Sequence, residues 1–224
     1  MKVLIADDHR LIIEGVKIKL AELDPSVEAV VAMNIEELER AVAEHADQLD
    51  LALVDIAMPG TQGYQHVAWL REQAPSLPVI VLSGSEDPDL MRSLIDMGVL
   101  GFIPKAYSPD IMLSAIRLVL AGGVYIPPLL LAKSQAQGWQ LADATAGPQG
   151  FDSARSLEGL RTLLTERQID VMRLLSQGKP NKLIARDLGI SEGTVKIHLA
   201  AIFRALNVRN RVEAVVASRK LQGL

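Results

Sequence analysis

The chain has 224 residues, of which 49% are hydrophobic and 22% are charged, which is enough for two small globular domains. It contains no cysteine, so disulfide bonds, thiolate metal sites and a cysteine nucleophile are excluded. No apolar run is long enough to span a bilayer, and the acidic pair Asp7-Asp8 follows the first residues too early for a signal peptide. We therefore expect a cytoplasmic protein that does not bind a membrane.

The charge is distributed unevenly along the chain. Residues 1–122 carry 9 Lys and Arg against 19 Asp and Glu, a net charge of −10, whereas residues 158–224 carry 12 against 6, a net charge of +6. This asymmetry predicts two domains with different partners, with nucleic acid as the partner of the basic one, although ordinary solvated surfaces would give the same charges. We place a linker over 123–157, rich in Ala, Gln, Gly, Ser and Pro, with a short helical stretch near Leu129–Lys133.

The first domain alternates short apolar runs with helical patterns. Buried strands are predicted at Lys2–Ala6, Val27–Ala32, Leu51–Val54, Val79–Leu82 and Gly101–Pro104. Helices are predicted at Leu11–Glu22, Ile35–His45, Gly63–Gln73, Asp87–Met97 and Pro109–Ala121. Strands that are apolar on both faces and alternate with helices predict an α/β doubly wound, five-stranded parallel sheet covered by helices on both sides.

Polar residues follow four of these strands, at the carboxyl edge of the predicted sheet. Asp7 and Asp8 follow the first strand, Asp55 the third, Ser83 the fourth and Lys105 the fifth. Ligands of open parallel sheets bind at this edge. Three clustered carboxylates repel one another unless a cation intervenes, and a set of oxygen ligands suits Mg²⁺. A carboxylate can also act as a nucleophile, so the edge is suited to phosphoryl transfer, with a lysine neutralising the transferred group.

Residues 1–122 resemble the receiver domain of two-component response regulators. The resemblance rests on Asp7-Asp8, on Asp55 within D-I-A-M-P-G, on Ser83 within S-G-S and on Lys105 within G-F-I-P-K. It implies the strand order 2-1-3-4-5 that such folds share. It also implies that Asp55 is the phosphoacceptor and that a sensor histidine kinase is the phosphoryl donor.

The same resemblance assigns roles around Asp55. It implies that Asp8 is a direct Mg²⁺ ligand, that Asp7 acts mainly through water, and that the backbone carbonyl of Ala57 completes the ligand set with Asp55. Ser83 and Lys105 are implied to contact the transferred phosphoryl group.

Two further positions of the first domain bear on its switching. Phe102 occupies the aromatic position that changes conformation with Ser83 in this family, although a plain core aromatic is an equal interpretation. The family usually has a proline after the lysine, in a cis bond, whereas this chain has Ala106. A cis bond before a non-proline residue costs about 2.5–4 kcal/mol, so we expect either a strained loop or a trans bond.

The second domain is predicted to be a small bundle of four helices. Their predicted ranges are Glu166–Ser176, Asn181–Leu188, Glu192–Leu206 and Arg211–Lys220. The turn Leu188–Ser191, with Gly189 inside it and Ser191 capping the next helix, predicts a helix-turn-helix. Helical spacing predicts a core stripe on the third helix of Val195, Leu199, Ile202, Phe203 and Leu206. The opposite face carries Thr194, Lys196, Ile197, Ala200, Ala201 and Arg204, a mixture suited to a major groove.

Residues 163–217 resemble the LuxR-type DNA-binding domain, in the arrangement of the NarL/FixJ response regulators. The resemblance runs through L-T-E-R-Q, G-K-P-N-K-L-I-A-R-D-L-G-I-S-E-G-T-V-K-I-H-L and N-V-R-N-R-V-E-A-V. It implies double-stranded promoter DNA as the partner, with base edges met by Lys196 and Ile197. The further implied DNA contacts are Asn181, Lys182, Thr194 and Arg204. Lys182 and Arg204 are equally well interpreted as solvated helix charges.

The last helix carries an apolar stripe of Val212, Val215 and Val216. The spacing fits packing on the domain itself, and the resemblance implies that this helix forms the contact of a homodimer when the protein is phosphorylated or bound to DNA. Taken together, the two resemblances imply a phosphorylation-dependent transcriptional regulator rather than an enzyme.

Three alternatives remain open on sequence alone. One is a degenerate receiver that controls DNA binding through protein or ligand contacts. A second is an aspartyl-phosphate phosphotransferase, although such enzymes usually carry a second Asp where this chain has Ala57. A third is a flavodoxin-like cofactor-binding protein, although the acidic edge lacks a glycine-rich phosphate loop.

Overall fold

The computed structural model describes residues 1–121, 123–128 and 164–220. The chain divides into two compact units, Met1–Lys133 and Ser134–Leu224. Most of the predicted linker, including the helical stretch expected at Leu129–Lys133, lies outside the described residues. None of the described helices is long and apolar enough to cross a membrane.

The first unit contains a five-stranded sheet in which every neighbouring pair of strands is parallel. The strands are β1 (Lys2–Ala6), β2 (Glu28–Ala32), β3 (Leu51–Asp55), β4 (Val79–Ser83) and β5 (Gly101–Pro104). Their order is β2-β1-β3-β4-β5, so the predicted sheet and the order implied by the resemblance are confirmed. The prediction of full burial is wrong for β2, because it lies at an edge with a neighbour on one side only and is largely half-buried.

Five described helices cover this sheet. They are α1 (Arg10–Leu23), α2 (Ile35–His45), α3 (Gln65–Gln73), α4 (Pro88–Asp96) and α5 (Pro109–Leu120). Apolar residues of α2, α3 and α4 form one core cluster with alternate residues of the strands, whereas α1 and α5 pack against each other. The predicted start of α3 at Gly63 is wrong, because Gly63 has a φ of +58° and the helix begins at Gln65.

The sheet edge at β5 is covered by the segment that follows α5. Tyr125 forms a parallel bridge with Gly101, and its backbone N–H donates to the Leu100 carbonyl at 2.9 Å. Ile126 packs against the core of the first unit. The described structure of this unit therefore continues past residue 122, where the sequence analysis begins the linker.

The second unit has four described helices with the predicted bounds. They are α6 (Glu166–Ser176), α7 (Asn181–Leu188), α8 (Glu192–Leu206) and α9 (Arg211–Lys220). Thr165 and Gln168 form a capping box that begins α6. The five residues predicted for the core stripe of α8 are all buried. They join buried residues of the other helices in one cluster, including Ile169, Met172, Leu175, Ile184 and Ala214.

Two glycines of the β3–α3 loop provide a test of this fold. Gly60 and Gly63 both have positive φ, but only at Gly60 would an added Cβ meet another atom, Ile35 Cγ2 at 2.9 Å. We expect Gly63→Ala to lower the free energy of unfolding by about 1–2 kcal/mol, from backbone strain alone. Gly60→Ala should cost more, because a steric contact is added to the strain. Urea denaturation of both variants checks this, and a larger loss for Gly63→Ala would contradict the described loop.

Candidate functional site

An acidic pocket lies at the carboxyl edge of the sheet and is centred on one lysine. Lys105 Nζ lies 2.8 Å from Asp7 Oδ2 and 2.8 Å from Asp55 Oδ2. Asp7 and Asp55 are 0% and 1% exposed. Burial by itself would lower the pKa of Lys105, but hydrogen bonds to Asp55 and Asp7 outweigh burial and raise that pKa above its usual value. Lys105 is therefore charged at neutral pH and neutralises part of the carboxylate charge.

Asp8 and the residue after it complete the acidic side of the pocket. His9 Nδ1 lies 2.8 Å from Asp8 Oδ1 and 3.1 Å from Asp7 Oδ1, and the His9 backbone N–H donates to Asp7 Oδ1 at 2.9 Å. The sequence analysis missed His9, although its position next to the acidic pair was a usable signal. The three polar residues that directly follow β1, Asp7, Asp8 and His9, therefore all lie at the pocket.

The pocket has the donor set of a divalent cation site. One ligand atom from each of Asp7, Asp8, His9 and Asp55 lies within 4.8 Å of the others. Among the residues that the structure describes, Asp55 Oδ1 has no hydrogen-bond partner although it is buried. A buried carboxylate oxygen without a partner is unfavourable, and a cation coordinated by oxygen would satisfy it. The residues present therefore fit Mg²⁺.

Ser83, at the end of β4, adjoins this site. Its side chain is buried and its Oγ accepts from the Ser85 N–H at 3.0 Å, which leaves the hydroxyl proton available for another acceptor. The backbone N–H of Lys105 donates to the Ser83 carbonyl at 2.7 Å and so ties β5 to β4. A Cβ added at Gly84 would meet nothing within 4 Å, so the approach beside Ser83 is open.

The remaining predicted positions of the first unit lie around this edge. Phe102 is fully buried in the cluster that includes Met91 and Leu94. Ala57 is exposed in the loop after β3. No cis peptide bond occurs among the described residues, so the Lys105–Ala106 bond is trans.

A buried histidine contacts the backbone of Asp55 and was missed by the sequence analysis. His66, in the first turn of α3, is 3% exposed, and its Nε2 lies 2.8 Å from the Asp55 carbonyl oxygen. Burial lowers the pKa of His66 below its ordinary value, against a smaller opposite effect of the bond to Asp55. The imidazole is therefore neutral at neutral pH. The one sequence signal for His66 was its position beside the apolar Val67 in a predicted helix.

The helix-turn-helix of the second unit has the predicted turn. Gly189 ends α7 with a φ of +64°, and the Ile190 N–H donates to the Ala185 carbonyl at 3.0 Å. Ser191 Oγ accepts from the Thr194 N–H at 3.0 Å and so caps α8, which confirms the predicted cap. Arg167 Nη2 donates to the Leu188 carbonyl at 2.6 Å, so an arginine of α6 holds the end of α7.

The face of α8 opposite the core differs from the prediction at one residue. Ile197 is 57% exposed and Arg204 is exposed, with its Nε donating to the Ala200 carbonyl at 3.3 Å. Lys196, however, is 6% exposed, so the prediction that it lies on the exposed face is wrong. Lys196 is seven residues before the buried Phe203 and therefore lies almost on the same side of the helix, where its aliphatic stem can be covered.

An arginine at the start of α9 reaches the start of α7. Arg211 Nη2 donates to the Lys179 carbonyl at 2.6 Å, and Nη1 lies 3.4 Å from Asn181 Oδ1. Burial lowers the pKa of Arg211 to about 10, so the guanidinium stays charged at neutral pH. The neighbouring Lys182 is exposed. The first turn of α7 is thus held in place from α9.

The predicted apolar stripe of α9 is divided between two environments. Val215 packs against the core of the second unit beside the fully buried Ala214. Val212 and Val216 are half-buried. Packing within the unit therefore accounts for Val215, whereas Val212 and Val216 do not belong to that core cluster.

Replacement of the central lysine tests the electrostatics of the pocket. We expect Lys105→Met to lower the free energy of unfolding by about 3–5 kcal/mol, because it leaves Asp7 and Asp55 buried without their cation. Added Mg²⁺ should recover part of this loss. Urea denaturation with and without Mg²⁺ measures both effects.

The matched control is Lys17→Met, which removes an exposed ion pair with Glu14. It should change stability by less than about 1 kcal/mol and respond to Mg²⁺ as the unaltered protein does. Equal losses for the two variants would show that Lys105 does not stabilise the buried carboxylates.

Comparison with known proteins places both units in described families. Residues 3–117 match the family described as "Response regulator receiver domain", and residues 162–218 match "Bacterial regulatory proteins, luxR family". The chain is 35% identical to the "Glycerol metabolism activator" of Pseudomonas putida, over 97% of this chain and 94% of that protein. It is 32% identical to the "Nitrate/nitrite response regulator protein NarP" of Escherichia coli, over 99% and 96%.

The fold is also found among solved structures. RcsB of Salmonella enterica serovar Typhimurium, bound to promoter rprA in the presence of the phosphomimetic BeF3⁻, matches with a TM-score of 0.53 and 21% identity, over 99% of this chain and 98% of that one. The two family matches and the full-length relatives agree with the geometry of both units. The chain belongs to the response regulators that combine a receiver domain with a LuxR-type DNA-binding domain and act as transcriptional regulators.

Proposed function

We propose that Asp55 accepts a phosphoryl group from a sensor histidine kinase and that this modification controls promoter binding by the second unit. The observation that carries the proposal is the contact of Lys105 with both buried carboxylates, Asp7 and Asp55, beside the unpartnered Asp55 Oδ1. A buried acid with a fixed cation next to it is positioned for transfer of a charged group, which depends mainly on positioning and charge neutralisation.

In the proposed step, a carboxylate oxygen of Asp55 attacks the phosphorus of a phosphohistidine. The new O–P bond forms as the P–N bond breaks, and the electron pair of that bond stays on the departing imidazole nitrogen. Asp7, Asp8, Asp55 and the Ala57 carbonyl would hold Mg²⁺, which neutralises charge on the phosphoryl oxygens. Lys105, already 2.8 Å from Asp55, would turn its ammonium towards one of those oxygens.

A conformational change caused by phosphorylation would be transmitted from the pocket through β4 and β5. The Ser83 hydroxyl proton is available to a phosphoryl oxygen, since Ser83 Oγ acts as an acceptor in its bond with the Ser85 N–H. Because the Lys105 N–H is bonded to the Ser83 carbonyl, a movement of Ser83 is passed to β5, which contains Phe102. We assign Ser83 and Phe102 to the switch on this basis.

For DNA recognition, α8 would enter the major groove and the start of α7 would meet the phosphates. Ile197 is exposed and can contact a thymine methyl group, and Lys196 would read a base edge after leaving its buried position. Asn181, Lys182 and Thr194 lie at the amino ends of their helices, where backbone N–H groups favour phosphate. Arg204, exposed near the end of α8, adds a further phosphate contact.

A homodimer would form on DNA through α9. Val212 and Val216 are the half-buried members of the stripe that do not belong to the core of the unit, and Val215 would support them from below. A two-fold pair of such units would read two half-sites, as helix-turn-helix dimers do.

The phosphoacceptor is tested by intact-mass measurement. The protein incubated with Mg²⁺ and a small phosphodonor should gain the mass of one phosphoryl group, and Asp55→Asn should gain none, because it lacks the attacking carboxylate. Asp47→Asn, at an exposed position, is the matched control and should behave as the unaltered protein does. An equal mass gain in Asp55→Asn would show that another residue is the phosphoacceptor.

The DNA contacts are tested with a genomic fragment selected by the protein and a scrambled version of it. Lys182→Ala should weaken binding to both alike and reduce the slope of log affinity against log salt by about one, because a phosphate contact is lost. Lys196→Ala should cost about 1–3 kcal/mol on the selected fragment only, because a base contact is lost. Titrations at several salt concentrations measure both. The same loss for both variants on both DNAs would show that Lys196 reads no base.

A further inference from the structure

One buried imidazole in the first unit makes a single described hydrogen bond, and that bond is to the backbone of Asp55. His66 Nε2 lies 2.8 Å from the Asp55 carbonyl oxygen. A carbonyl oxygen only accepts, so Nε2 carries the proton and donates. Nδ1 is then unprotonated, and it is buried without a hydrogen-bond partner among the described residues. A buried nitrogen without a hydrogen-bond partner lowers the stability of the folded state. His66 therefore destabilises the fold at a position next to the fully buried Val67, unless its one hydrogen bond has a role.

The end of the sheet explains why this carbonyl needs a donor. The Ile56 N–H donates to the Leu82 carbonyl of β4 at 3.3 Å. In a trans peptide the carbonyl of the preceding residue points the opposite way, so the Asp55 carbonyl points away from β4 and towards the β1 side. The pairing of β1 with β3 ends at Ala6 and Val54, one residue earlier. The sheet therefore offers this carbonyl no further strand partner, and His66 supplies the donor instead.

We propose that His66 is a positioning residue for the phosphorylation pocket, holding the peptide that follows Asp55 so that the carboxylate and the metal-binding loop keep their geometry. This inference rests on the proposed function of Asp55. The held peptide joins Asp55, which lies 2.8 Å from Lys105, to the loop that carries the Ala57 carbonyl. Rotation of that peptide would move the carboxylate and the carbonyl together, so both phosphoryl transfer and Mg²⁺ binding depend on it.

Two substitutions separate this role from simple packing. His66→Gln keeps an N–H donor at the distance of Nε2, whereas His66→Leu has a similar volume and no donor. We expect His66→Leu to slow phosphorylation by a small phosphodonor by roughly ten- to hundredfold, the range that a misplaced reacting group produces. Its affinity for Mg²⁺, measured by calorimetry on the full chain without a phosphodonor, should fall as well. His66→Gln should recover most of both losses.

Unchanged rates and Mg²⁺ affinity in His66→Leu, or equal losses in His66→Leu and His66→Gln, would overturn the proposal, because packing alone would then account for His66. Should His66→Leu not fold, NMR of the ¹⁵N-labelled imidazole in the unaltered protein decides: a slowly exchanging Nε2 proton coupled to the Asp55 carbonyl supports the proposal, and an Nδ1–H tautomer overturns it. Failure of the unaltered protein to be phosphorylated on Asp55 would instead count against the proposed function, and the Mg²⁺ and NMR measurements would still test His66.

Discussion

The structure of the first unit depends on one ammonium group held between two buried carboxylates. Asp7 directly follows β1, and Asp55 is the last residue of the neighbouring strand β3, so the sheet brings their like charges together. Lys105 follows β5 and reaches both carboxylates at 2.8 Å, past the intervening strand β4. The strand order is thus what lets one cation neutralise two acids. A phosphoryl group on Asp55, as proposed above, would compete with the two carboxylates for that ammonium.

The same pocket is incompletely satisfied by the chain itself. Asp55 Oδ1 is buried without a hydrogen-bond partner among the described residues, and the Asp55 carbonyl relies on His66 because the β1–β3 pairing has ended. Most buried polar atoms in native proteins have a hydrogen-bond partner, so a buried carboxylate oxygen without one points to a functional role. The backbone of the site is therefore fixed by α3, and its carboxylate is left available to a cation.

In the second unit, several basic residues support the backbone. Arg167 donates to the carbonyl at the end of α7, Arg211 donates to the carbonyl of Lys179, and the Lys179 side chain pairs with Asp187 at 2.8 Å. Lys196 is buried. Some of the basic side chains that give this unit its net charge of +6 are therefore engaged within the unit itself. On the face of α8 opposite the core, the exposed side chains named in the prediction are the apolar Ile197 and the basic Arg204.

The sequence by itself determined the helices and strands and the residues of the acidic edge, because hydrophobic periodicity and the residues that follow each strand are local properties of the chain. The strand order came from the family resemblance. It also predicted the turn around Gly189 and the cap at Ser191, since both depend on the conformational preferences of single residues. Only the tertiary structure decided what depends on distant neighbours. His66 meets a carbonyl eleven residues away, β2 is half-buried because it lies at an edge, and Lys196 is covered because it shares the side of α8 with Phe203. The contact of His66 and the partial burial of β2 are set by packing between elements, whereas the side of Lys196 follows from the helical period that the sequence interpretation misjudged.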